Sequence, residues 1–119
     1  MSILFNERTL ILNHLEIQAY TGPSGTVHFC LRGDIDVSNA KAAAARLLHE
    51  SSNEKGDVTC DLSGVDFIDS SGLRALVDVQ HESIKNERIL RVVLGDNHRL
   101  RRLFGTCGLD RVLSVVDHR

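Results

Sequence analysis

Between Leu15 and Val116 the spacing of apolar residues switches several times between every second position and every third or fourth. A half-buried strand needs the first period and an amphipathic helix the second, so this switching fixes the fold class before any motif is read. Leu15, Ile17 and Ala19 alternate with Glu16 and Gln18. After the turn-forming TGPSG at 21–25, Val27, Phe29 and Leu31 alternate again. The two runs predict a hairpin. Ala40, Ala43, Ala44, Leu47 and Leu48 then recur at helical spacing, with Ser38 or Asn39 placed to cap the helix. Residues 53–57 read as a loop, and Val58, Cys60 and Leu62 as one face of a central strand.

A second helix is expected from near Ser71, with Leu73, Leu76, Val77 and Ile84 as its apolar stripe. ILRVVLG at 89–95 is a strand. Asp96 or Asn97 then caps a short helix carrying Leu100, Leu103, Phe104 and Cys107 on one side, with Gly105 or Gly108 as its stop. RVLSVV at 111–116 closes as a strand. The order β-β-α-β-α-β-α-β predicts an α/β fold, a mixed sheet with helices packed mainly on one face. Residues 15–119 form one domain. Residues 1–14 show no strong period and are an arm, an added strand or a piece exchanged with a second copy.

A chain of 119 residues with 42% apolar and 25% charged residues suits one globular domain. Its net charge of −2 gives no reason to expect direct contact with nucleic acid. The sign is uneven: five acids and one base lie between Glu54 and Asp69, seven bases and three acids between Lys85 and Arg111. A partner surface could read that asymmetry, as could solvent alone. Cys30, Cys60 and Cys107 are too scattered for a disulfide framework or a metal site, and Cys30 and Cys60 read as small buried hydrophobes. No signal peptide and no apolar run long enough for a bilayer is visible, so a cytoplasmic location without membrane contact is expected.

The string VDFIDSSGLRALVDV at 65–79 sets two serines between an aspartate and a glycine where a strand meets a helix. A hydrolase nucleophile there would need a base and an oxyanion hole, and D-S-S-G is not the G-x-S-x-G elbow. Helix capping accounts for one serine, Ser71, but not for two. Ser70 as a phosphate acceptor is a third reading. A helix N-terminus tolerates an anion, and a phosphate beside Asp69 would change the surface field without touching the core.

DLSGVDFIDSSGLRALV resembles the signature of STAS domains, in particular the bacterial anti-sigma factor antagonists. LRGDIDVSNA resembles the segment that opens the family's first helix, and NHRLRRLFGTCGLDRVL its third helix and the passage into the last strand. The three blocks stand in family order over residues 15–117. The resemblance implies a non-enzymatic, cofactor-free partner-switching module. Unphosphorylated, it would bind an anti-sigma factor that is also a serine kinase, releasing a sigma factor; a PP2C-type phosphatase would reverse the modification. It places the phosphorylated serine at Ser70 and a partner-binding edge at Asp34, Asp36, Ser38, Asn39, Asp69, Ser71 and Gly72. Other branches imply alternatives: a non-switching scaffold subunit of a stress-sensing or lipid-transport assembly, or a nucleotide- or small-anion-binding module. Asn97-His98 replaces a proline common at the start of the third helix. The final helix of many relatives is missing, a gap that residues 1–14 could fill, or use to build a homodimer.

Overall fold

A computed structural model describes residues 5–52 and 55–116. Residues 1–4 of the N-terminal arm, positions 53–54 of the loop and the last three residues lie outside that range. The elements run β1 (Phe5–Leu12), β2 (Leu15–Thr21), β3 (Val27–Ile35), α1 (Ala40–Ser51), β4 (Val58–Ile68), α2 (Ser70–Lys85), β5 (Leu90–Val93), α3 (His98–Cys107), α4 (Leu109–Val112) and β6 (Ser114–Val116). They form one six-stranded sheet in sequence order, antiparallel from β1 to β3 and parallel from β3 to β6.

The expected α/β sheet is present, with two additions. Phe5–Leu12 is a strand of the same sheet, joined to β2 by a two-residue turn at Asn13 and His14. Asn13 takes the left-handed conformation such a turn requires. The run from Arg111 is not wholly strand: Leu109–Val112 makes a helical turn first, and β6 begins only at Ser114.

Side-chain alternation sorts the sheet into two faces. Ala19, Phe29, Cys60, Val92 and Val115 stand opposite one another across five strands. With Leu15, Ile17 and Leu31 they join one core with Ala40, Ala43 and Leu47 of α1, Leu76 and Val79 of α2, and Leu100 and Phe104 of α3. Tyr20, His28, Thr59, Arg91 and Ser114 form the neighbouring row on the other face, where Tyr20 stacks on His28 with ring centroids 5.1 Å apart. Burial pushes the Cys60 thiol up to about 12, so it stays protonated and packs as a hydrophobe. Cys30 is only half-buried, contrary to the expectation that both thiols are interior.

α1 and most of α3 bury the expected stripes, whereas α2 differs in phase. Gly72, Leu76, Val79 and Ser83 are the buried positions of α2, in steps of four, three and four. Ile84 falls about 100° beyond Ser83 and is 59% exposed. Cys107 is exposed, and Gly108, in the left-handed conformation, ends α3, while Gly105 lies inside it. Much of the basic segment is used internally. Arg88 donates to the carbonyls of Ser51 and Gly56, Arg99 to Asp66 and Arg101 to Gly95.

Asp57 gathers the starts of three strands. Its carbonyl accepts from Val27, and its carboxylate accepts from the Ile89 amide at 3.2 Å and pairs with Arg91 at 2.8 Å. The Arg91 guanidinium, with help from the Ile89 amide, holds this carboxyl below the usual carboxylate range. A carboxyl held down by folding contributes stability that is present at neutral pH and lost as the pH falls through its folded value. Asp57→Asn is therefore expected to lower the thermal midpoint at pH 7, with the gap to wild type closing as both are melted toward about pH 2.

Candidate functional site

The parallel pairing of β3 with β4 brings two chain reversals together. Asp34 stands opposite Phe67 and Ile35 opposite Ile68, and the Asp69 amide donates to the Ile35 carbonyl at 3.1 Å. The β3–α1 loop and the N-terminus of α2 therefore share one rim at the carboxyl ends of the strands, where open α/β sheets place their binding residues.

The loop is built on a buried amide. Asn39 is 2% exposed. Its Oδ1 accepts from the Asp36 amide at 3.0 Å, and its Nδ2 donates to the carbonyls of Asp34 at 2.9 Å and Leu12 at 3.2 Å. Asn39 occupies the N-cap position of α1, but its side chain does not cap. Asp36 folds the next residues by accepting from the Ser38 amide at 2.9 Å and its hydroxyl at 2.5 Å. Those two bonds, the hydroxyl's first, lower the Asp36 carboxyl below its usual value. It therefore stays ionised at neutral pH. Val37, between them, is 80% exposed.

At the start of α2 the cap is Asp69, neither serine. Asp69 is in the extended region, its Oδ1 accepts from the Gly72 amide at 3.1 Å, and its carbonyl accepts from Leu73. Ser70 is the first helical residue and is exposed; Ser71 is half-buried. Gly72 is buried, and a Cβ there would lie 2.5 Å from Ile68 Cγ1 and 2.8 Å from Ile35 Cγ2. Asn97 ties α3 to the same end: it caps Leu100 at 3.2 Å and donates to the Val65 carbonyl at 2.7 Å. A recess of about 330 Å³ lies beside it, lined by Ser63, Asp66 and Arg99 among others.

Of the residues expected at a partner-binding edge, Asp34, Asp36, Ser38, Asp69 and Ser71 reach this rim with some exposure, as does Ser70, the expected phosphate acceptor. Asn39 and Gly72 are buried and shape it from below. Sequence reasoning passed over Val37 and Phe67, which is 52% exposed. Each continues an alternation, Ile35 to Val37 and Val65 to Phe67, that suggests burial. Two register shifts in the β3–β4 ladder, at Cys30/Arg32 and Gly33/Asp34, break that alternation, and Phe67 faces outward. Among the described residues no group of three His, Cys, Asp or Glu side chains is placed to hold a metal ion. Among them, too, no helix is long and apolar enough to cross a membrane.

The sequence profile of the STAS domain matches residues 17–119. The chain belongs to the STAS domain family. Solved structures share its architecture. The protein TM1081 of Thermotoga maritima superposes with a TM-score of 0.74 at 16% identity, over 99% of this chain and 90% of that one. An anti-sigma factor antagonist from Mycobacterium paratuberculosis gives 0.68 at 23% identity, over 94% and 86%. The anti-sigma factor antagonist SpoIIAA in its unphosphorylated form gives 0.62 at 16%, over 87% and 89%. Among curated proteins, none matches. The STAS match begins at Ile17, so β1 precedes it.

The site's architecture makes its side chains separable by stability. In urea denaturation, Asp69→Ala is expected to cost about 1 kcal/mol as a lost cap, and Ser70→Ala to stay within about 0.5 kcal/mol of wild type. Asn39→Ala, which strands buried backbone groups, is expected to cost about 1–3 kcal/mol. Gly72→Ala is expected to cost a similar amount through overpacking.

Proposed function

We propose that this STAS domain is an anti-sigma factor antagonist whose docking is switched off by phosphorylation of Ser70. One observation carries the reading: Asp69 does the capping, which leaves the Ser70 hydroxyl exposed at the first turn of α2 with no structural duty there. A kinase can reach that oxygen. The helix N-terminus tolerates the phosphate, because the first-turn amides and the helix dipole favour an anion.

The partner is an anti-sigma factor that is also a serine kinase. It docks on the rim of Asp34, Asp36, Ser38, Asp69 and Ser71 while Ser70 is unmodified, and a sigma factor is released. Phosphorylation adds about −1.5 to −2 charges to a rim that already carries Asp36 and Asp69. A partner that sets acidic groups against Ser70 then meets like charge across the interface, which costs several kcal/mol, so it leaves while the fold stays. A PP2C-type phosphatase removes the phosphate and resets the cycle in the cytoplasm. The domain is the kinase's substrate and needs no catalytic group or cofactor of its own.

Incubation with the cognate kinase and ATP is expected to add one phosphate by intact mass to wild type and none to Ser70→Ala. Ser70→Asp is expected to bind that partner about a hundredfold more weakly, or worse, with an unchanged thermal transition. Equal binding by Ser70→Asp would leave a non-switching scaffold as the better reading.

A further inference from the structure

The two edges of the sheet are unlike. Among the described residues β6 spans only three, and a short edge protects itself from pairing. β1 has eight residues. Natural edges of that length are blunted by charge, proline or a bulge. In β1 these devices sit in the first half, where Glu7 and Arg8 lie and the register with β2 shifts between Phe5 and Arg8. From Thr9 to Leu12 the ladder is regular, uncharged and free of proline. Ile11 in this stretch is 61% exposed.

On the helical side the edge is also unfinished. α1 reaches β1 through Glu50, which pairs with Arg8 of the strand and Arg46 of its own helix. Around that pair lies a recess of about 260 Å³, lined on its apolar side by Leu10, Ile17 and Ala19.

We propose that β1 is a homodimer interface, in which two copies join edge to edge, antiparallel, about a two-fold axis at Leu10. The strand's own sequence selects the occupant and the register. Residues opposite one another across a ladder must share a face, so the axis passes through a residue rather than between two. An axis at Glu7 or Arg8 sets like charges face to face, which is destabilising. At Leu10 the pairs are Leu10 with Leu10, Thr9 with Ile11, and Arg8 with Leu12, the first two inside the regular, uncharged stretch. Ile11 then gains a β-branched neighbour on the outer face, and the second copy's Leu10 extends the apolar lining of the recess. The two sheets become one of twelve strands. The Ser70 rim, three strands away at about 4.8 Å per strand, stays clear.

Light scattering after gel filtration of the full chain at micromolar concentration tests this. Wild type is expected at twice the monomer mass of 13.2 kDa. Ile11→Lys, a change at an exposed position, is expected at the monomer mass with the circular dichroism spectrum of the folded domain. In a Cys107→Ser background, Leu10→Cys is expected to form an intermolecular disulfide on mild oxidation, and Glu7→Cys none. A monomeric wild type, a dimer indifferent to Ile11→Lys, or crosslinking by Glu7→Cys rather than Leu10→Cys would overturn the proposal. A monomer that pairs through β1 only with another protein's strand counts against it equally. Because the readouts are mass and crosslinking, they are independent of whether Ser70 is ever phosphorylated.

Discussion

The buried amide of Asn39 is the contact on which the rim depends. A loop leaving a parallel strand has backbone groups that no ladder satisfies, and burying them unpaired costs roughly 1–3 kcal/mol each. Asn39 answers three of them, on Leu12, Asp34 and Asp36. It thereby fixes the end of β1, the end of β3 and the start of α1 relative to one another. The Asp69–Ile35 backbone bond then locks α2 against this frame. A site on loops thereby gains the precision of one on regular elements.

Within the frame, structural and chemical duties fall on different side chains. Asp69 satisfies the helix, Gly72 allows two isoleucines to close beneath it, and Ser70 stands outside both tasks. Opposing fields meet at that serine. The helix terminus favours a negative group, whereas Asp69 and an Asp36 held ionised by Ser38 disfavour one on a partner's surface. The first field acts inside the domain and the second between molecules, which is how the proposed phosphate would be neutral for folding and costly for docking.

What could be read from the sequence follows how local the cause is. The β2–β3 hairpin, β4 and the body of α1 were legible because alternation, turn residues and alanines act over a few positions. β1 was legible only as one of three alternatives, since the polar NER interrupts its period and its turn has only Asn13 as a signal. The phase of α2 was misplaced because Ser83 is buried, bonding back to the Val79 carbonyl, while the apolar Ile84 is not. At the site, D-S-S-G was visible as a cluster. Which member capped the helix depends on the backbone angle at Asp69, and the depth of Asn39 depends on a strand 27 residues earlier. Neither leaves a trace in neighbouring letters.

The division between Asp69 and Ser70 also bears on how such a domain can diverge. A residue that serves both architecture and regulation is held in place by either demand, and its persistence is ambiguous. Here the aspartate answers for the architecture. Under the proposed switch, natural variation at position 70 would be filtered by signalling alone, and a lineage that lost its kinase would be free to let the hydroxyl drift while the fold endured.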